Sequence, residues 1–355
     1  MAMRLQPPVT RQVSPFFAFF IVTTTQIGVG IFSFQLSLIS FAGHDGWIAV
    51  ILSALLIHVV IWLIYKLLPT HHTIVDIHQK VFGKWIGAFV SLYFLFYYSL
   101  FALVTLVVYT QILRVWLFPE ISPWVFFLVL GALVYVFTMG GLRKILGASV
   151  LAVFITVTFL AFPHLPYGQM QLGSLFPIGD HAPMDLWLAT KEMTFQYLGF
   201  EILLMAYPFL KDAPRSHKWA QYGVTFSMIT YLVSFILPIL YFHEHHLATI
   251  LWPTLTLWNM EYFGMAAWSF VVLPNMALWL WAASRVAKQS INISQKHTVR
   301  GLSLLIFGSA FFFTTYRAIE DVLSFASGLG FYTFFVYLPI LYILRMIIVK
   351  RRDRS

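Results

Sequence analysis

The sequence predicts an all-α polytopic membrane protein of about ten transmembrane helices, arranged as a five-plus-five inverted repeat with helices 1 and 6 interrupted. Three observations predict it. The 355 residues are 60% hydrophobic and 10% charged, with a mean hydropathy of +0.82; a soluble domain carries about 25% charged residues. Two long apolar runs are broken near their middles, at Gly28 and Gly30 and again at Gly199. The basic residues fall almost wholly on one side of the expected spans.

A span needs about 20 mostly apolar residues. On that measure the spans run approximately over 14–41, 46–68, 86–113, 123–141 and 145–163, then 185–210, 219–243, 260–286, 300–317 and 322–345. The first run follows Pro7-Pro8, is too long for a signal-peptide core and lacks a small-residue cleavage site, so it reads as a retained helix. The chain is expected to be one integral-membrane domain over 1–355, with repeat halves at about 14–163 and 185–345. Five spans per half make the second half inverted relative to the first. No loop is large enough to fold as a soluble domain.

Charge sets the expected orientation. Arg4, Arg11, Lys66, Lys80, Lys84, Arg143, Lys144, Lys211, Arg215, Lys218, Arg285, Lys288, Lys296, Arg300, Arg345, Lys350, Arg351, Arg352 and Arg354 share one side, which is 19 of the 22 basic residues. Arg114, Lys191 and Arg317 lie on the other. An odd span count would scramble this split. Both termini and the polar segment 69–85 are therefore expected in the cytoplasm, and the segments 164–184 and 243–259 outside. The net charge of +9 belongs to helix ends facing a lipid bilayer, and no nucleic-acid partner is expected. The absence of cysteine excludes disulfides and thiolate metal sites.

The breaks are the expected site. In Thr23-Thr24-Thr25-Gln26-Ile27-Gly28-Val29-Gly30-Ile31 two glycines disfavour helix by roughly 1 kcal/mol each against alanine. Their spacing of two is wrong for packing one helix face, where small residues recur four apart. Broken backbone at membrane depth is tolerated only where protein buries it or a cavity hydrates it. Unwinding leaves carbonyls near Ile27 and amides near Gly30, and helix-start amides attract an anion. Tyr197-Leu198-Gly199-Phe200-Glu201 repeats the pattern in span six, and carbonyls ending near Tyr197 suit an ammonium group. Paired interruptions in two halves mark transporter-type binding sites. The ligand-binding candidates are Thr25, Ile27, Gly28, Gly30, Ile31, Tyr97, Phe101, Tyr197, Gly199, Phe200 and Glu201, and the ligand expected is a zwitterion such as an amino acid.

Glu201, an ionisable residue near mid-span, is expected to be functional: a proton acceptor, a substrate contact, or a charge at the start of the second half-helix. His58 in span two is a second possible proton site, or a histidine satisfied by backbone. Pro238 and Pro274 are expected to kink spans seven and eight and to free carbonyls. Ser269 has no Ser/Thr neighbour at the centre of span eight, and span five carries no charge, which weakens a sodium site. No Arg or Lys is expected near either break, which argues against acidic amino acids. His243-Glu244-His245-His246 lacks the metalloprotease spacing and reads as a solvated loop; no metal site is expected. Ser327-Gly328-Leu329-Gly330 reads as a packing feature of span ten. There is no nucleophile–base pair and no phosphate loop, so no enzyme and no cofactor is expected.

Gln26-Ile27-Gly28-Val29-Gly30-Ile31, Gly199-Phe200-Glu201-Ile202-Leu203 and the ten-span layout resemble the spore-germination permeases, the B subunits of nutrient germinant receptors of the GerAB type. That family in turn resembles the amino acid–polyamine–organocation transporters. Where members often carry a proline after the first glycines, this chain reads Phe32-Ser33-Phe34-Gln35. The resemblance implies a LeuT-like fold, a spore inner-membrane or cell-membrane location in an endospore-forming bacterium, A and C receptor subunits as partners, and a small nutrient, such as an amino acid, as ligand. The expected function is nutrient sensing that triggers germination. The alternatives are a proton-coupled amino-acid transporter and a water or ion conduit.

Overall fold

A computed structural model describes residues 7–161, 167–258 and 262–352. Arg4, Arg354, the last residues of the expected fifth span and the first two of the eighth lie outside the described residues. The chain runs as α1 (Phe17–Gln26), a 3-10 turn (Val29–Phe32), α2 (Phe34–Ala42), α3 (Gly46–Leu67), α4 (Ile74–Phe82), α5 (Lys84–Trp116), α6 (Pro123–Met139), α7 (Leu142–Ala161) and α8 (Pro183–Gln196). A 3-10 turn (Phe200–Ile202) leads into α9 (Leu203–Ala206), α10 (His217–Phe242), α11 (Glu244–Leu247), α12 (Pro253–Trp258), α13 (Tyr262–Ser290), α14 (Gln295–Ala310) and α15 (Tyr316–Tyr332). A π-helical turn (Thr333–Tyr337) joins α15 to α16 (Leu338–Arg352). Among the described residues the only β pairing is one bridge, Val13 with Leu210.

The protein is an all-helical integral membrane protein. Among the described residues, six helical stretches are long and apolar enough to cross a membrane: Phe34–Leu67, Lys84–Trp116, Leu142–Leu160, Pro214–Leu247, Phe263–Ser290 and Tyr316–Ile348. Phe17–Gln26, Pro123–Met139 and Phe200–Phe209 are shorter apolar helices. In lipid a helix satisfies its own backbone, so exposed Leu, Phe and Val on these elements, such as Phe89, Phe154, Leu128 and Val136, match a lipid surround.

At the centre, α13 packs against α5 and α7, and α1 against α10. Both internal prolines sit inside continuous helices. Pro238 has no N–H to give the Ser234 carbonyl; Gln35 supplies one from α2, its Nε2 2.7 Å away. The carbonyl that Pro238 leaves without its helical donor thus has a substitute.

Some boundaries differ from the expected ones. The stretches placed at 300–317 and 322–345 are occupied by helices beginning earlier, at Gln295 and Tyr316. Serine and threonine caps decide this: Ser294 Oγ accepts from the His297 N–H at 3.4 Å and Thr315 Oγ1 from Ala318 at 3.3 Å. The polar segment 69–85 contains α4, opened by a capping box between Thr73 and Asp76. α4 lies on α5 at Gly87, where a Cβ would come within 2.6 Å of the Gln79 backbone. His78 on α4 is fully buried between Ser91 (2.9 Å) and Tyr337 (2.7 Å), and burial pushes its imidazole down to about 3, so both bonds are made by a neutral ring.

Candidate functional site

The first break is real, and its carbonyls are already taken. α1 ends at Gln26, with the Ile27 N–H bonded back to Thr23. Asn275, the residue after Pro274, donates from Nδ2 to the carbonyls of Thr24 (2.9 Å) and Thr25 (3.1 Å). Tyr231 donates to Gln26 at 2.7 Å, Trp268 to Gly28 at 3.3 Å and Thr254 to Ile31 at 2.8 Å. The second half does not start as an α-helix at Gly30, as expected, but as the 3-10 turn Val29–Phe32, with α2 following at Phe34. The amides of Val29 and Gly30 open that turn, where a helix leaves its N–H groups without intrahelical acceptors.

The second break is stitched to the first. Gly199 adopts φ +124°, a region disfavoured for side chains, and a Cβ there would lie within 2.5 Å of Thr25 Oγ1. Gln26 Nε2 donates to the Tyr197 carbonyl at 2.8 Å. The Tyr231 hydroxyl that serves Gln26 also reaches the Gln196 carbonyl at 3.2 Å. The carbonyls expected to take an ammonium group therefore have protein donors.

Glu201 is fully buried and turned back on its own break. Its Oε2 accepts from the Gly199 N–H at 2.7 Å and its Oε1 from the Tyr97 hydroxyl at 2.6 Å, while Tyr98 donates to its carbonyl at 2.9 Å. Of the roles considered for it, this geometry is that of a cap on the unwound segment.

Between the breaks lies a cavity of about 620 Å³. Of the candidate ligand-binding residues, Thr25, Gly28, Gly30 and Phe101 line it. Ile27, Ile31, Tyr97, Tyr197, Gly199, Phe200 and Glu201 are buried behind its wall. Phe200 packs on Phe334, and the Tyr197 hydroxyl bonds the Val50 carbonyl at 3.1 Å. His58 is away from the cavity lining; it pairs with Gln221, whose amide in turn reaches His217 at 2.9 Å. Ser269, isolated in sequence, bonds Tyr109 at 2.9 Å.

Several lining residues escaped the sequence reading. Trp279 stacks beside Phe101, 4.9 Å between ring centres, and Phe195 completes that wall. Lys191, Glu192 and Glu320 bring charge to the cavity, so a cation does stand near the second break, against the expectation from sequence. Lys191 sits over the Phe331 ring at 5.4 Å. Ser327 and Gly328 line the cavity, while Gly330 packs against Leu198; the run is only partly a packing feature. Most informative is Gln26, which is 3% exposed and lines the cavity. Its Nε2 is committed to Tyr197, and its Oε1 has no hydrogen-bond partner among the described residues. An orphaned buried acceptor costs about 1–3 kcal/mol. A glutamine two residues before the first glycine of the break was the available signal.

A family model described as spore germination protein matches residues 12–322. The chain is 34% identical over 359 aligned positions to the spore germination protein GerQB of Bacillus cereus, covering 98% of this chain and 99% of that one. It is 21% identical to spore germination protein B2 of Bacillus subtilis (strain 168), over 90% of each chain. It is 22% identical to spore germination protein YndE of the same organism, over 67% of this chain and 66% of that one.

The geometry of Glu201 sets an order of stability. Glu201→Ala orphans two buried donors, the Gly199 N–H and the Tyr97 hydroxyl, at about 1–3 kcal/mol each. Glu201→Gln keeps one oxygen for Gly199 and can donate to the Tyr97 oxygen, so its loss is smaller. Thermal unfolding in detergent is expected to rank wild type above Gln above Ala; an Ala variant as stable as wild type would remove the capping role.

Proposed function

The chain belongs to the spore germination protein family, and from that premise we propose that it is the membrane subunit of a nutrient germinant receptor, binding a small amino acid in the cavity between the two breaks. The observation that carries this reading is Gln26, a residue of the cavity wall whose buried Oε1 has no hydrogen-bond partner among the described residues. It accepts a hydrogen bond from the ligand's ammonium group, and the Val29 and Gly30 N–H groups donate to its carboxylate. Phe101, Phe195 and Trp279 give an apolar wall for the side chain. A volume of about 620 Å³ suits such a ligand, since small-molecule pockets run to about 300–1,000 Å³.

In this reading α1 with α2, and α8 with α9, are the interrupted first and sixth of ten spans in a LeuT-like inverted repeat. α3, α5, α6 and α7 complete the first half. α10, α13, α14 and α15 with α16 complete the second. Both termini and α4 face the cytoplasm, and the protein works in the spore inner membrane beside A and C receptor subunits. Nutrient binding shifts the balance between conformers by its differential affinity for them.

The placement of Glu201 supports sensing over proton-coupled transport. Its carboxylate is bonded behind the wall, and His58 is away from the cavity. Uptake of labelled amino acid into proteoliposomes with and without a pH gradient discriminates: the receptor reading expects binding without concentrative uptake. Conductance or water flux without saturation would favour a conduit.

Two outcomes are expected in spores and cells. A side chain at Gly30 would meet Gln196 and fill the cavity, so Gly30→Leu should abolish the germination response to the nutrient while the protein remains in the membrane. A normal response at ordinary nutrient concentration would move the site elsewhere. For orientation, a single cysteine at Thr70, an exposed position of the 69–85 segment, should be labelled by an impermeant reagent only after the membrane is opened; labelling in intact cells would overturn the ten-span arrangement.

A further inference from the structure

Away from the cavity, three parts of the chain bring metal-ligating atoms together. The turn between α2 and α3 supplies His44 and Asp45, the segment before α8 supplies Asp180 and His181, and α11 supplies Glu244. His181 Nδ1 lies 3.1 Å from Asp45 Oδ2 and 2.8 Å from Asp180 Oδ1. His44 Nε2 lies 3.6 Å from Asp180 Oδ1. Ligand atoms of His44, Asp45 and Asp180 all fall within 4.8 Å of one another. Asp45 is fully buried, with both carboxylate oxygens 3.1 Å from the Gly179 N–H.

His44 Nδ1 is 2.9 Å from Glu244 Oε2, and its Nε2 faces the Pro177 carbonyl at 2.6 Å and the Asp180 carboxylate. Three carboxylates thus converge on two imidazoles, a concentration of acceptor oxygens that a bound cation would balance. A histidine that donates its second N–H to a carboxylate is the usual outer arrangement around a bound metal. The backbone closes tightly here as well. Gly43 has φ +47°, and a Cβ on it would lie 2.7 Å from Glu244 Oε1 and 2.8 Å from His181 Nε2.

We propose that His44, Asp45, Asp180 and His181 form a binding site for a divalent transition cation of the zinc class, with Glu244 holding His44 from outside. Two imidazoles and two carboxylates match the nitrogen and oxygen donors of four-coordinate zinc. Calcium and magnesium prefer oxygen alone. The cation would join the end of α2 to the start of α8. These helices pack together and both contribute residues to the cavity, so the site would brace its walls. This inference is independent of the nutrient reading.

The test uses the full chain, purified in detergent on a tag without histidine, stripped with chelator and titrated with Zn²⁺ alone. Expected are stoichiometric zinc by elemental analysis, visible absorption on replacement with Co²⁺, and a rise in thermal midpoint with zinc. Asp180 is partly exposed, so Asp180→Asn should fold and lose the metal, as should His181→Gln. Glu244→Gln should weaken binding about 10- to 100-fold. A variant with His245→Gln and His246→Gln should bind as wild type. The proposal is overturned if zinc binds only through His245 and His246, if Asp180→Asn and His181→Gln both keep it, or if no zinc binds and acidification alone stabilises the protein. The last result would make the cluster a network of protonated imidazoles and carboxylates.

Discussion

Everything in the centre of this protein depends on one requirement: unwound backbone inside an apolar interior needs partners. Two helices come apart there, and side chains from elsewhere serve the freed carbonyls. Asn275 covers Thr24 and Thr25, Trp268 covers Gly28, and Thr254 covers Ile31. The Tyr231 hydroxyl and the Gln26 amide tie the breaks to each other. Gly199 closes against the Thr25 side chain near the end of α1, where a Cβ on it would find no room. The breaks are therefore fixed features held by α5, α10 and α13.

That lattice divides the polar groups near the breaks into two kinds. Glu201, Asn275 and Tyr231 have protein partners and hold the scaffold. Gln26, a cavity-lining residue, is half committed: one end of its amide bonds Tyr197 and the other is buried with no hydrogen-bond partner among the described residues. A buried group left with an unmet bond is the natural place for a ligand to gain affinity, because the cost of desolvating it has already been met on folding. The charged residue in the span, which first draws attention in the sequence, is thereby less exposed to a ligand than the neutral amide on α1.

The breaks were legible in the sequence because glycine acts locally: Gly28, Gly30 and Gly199 interrupt helix whatever surrounds them. The existence of the long helices was legible from apolar length, and Pro238 and Pro274 were read as sites of freed carbonyls. What supplied the bonds was not legible. Tyr97 meets Glu201 across 104 positions and Gln26 meets Tyr197 across 171, and no spacing rule reaches so far. Burial of Tyr97, Tyr197 and Phe200 behind the cavity wall likewise depends on how α5 and α8 face each other. His44, Asp45, Asp180, His181 and Glu244 come from three segments, each unremarkable alone, which is why His243-Glu244-His245-His246 read as a solvated loop although Glu244 has a partner in His44.

The central claim is that Gln26 Oε1 receives the ammonium group of an amino acid in the cavity between the breaks. Its most direct test is equilibrium binding of labelled amino acids to the purified protein, compared with Gln26→Met, which keeps the side-chain length and removes the acceptor. The account predicts saturable binding to wild type that competing free amino acid displaces and its N-acetylated derivative does not. It predicts a loss in Gln26→Met of roughly 10- to 150-fold, the equivalent of about 1.5–3 kcal/mol for a hydrogen bond to a charged group. Equal affinity of the two proteins, or equal displacement by the N-acetylated derivative, would contradict it.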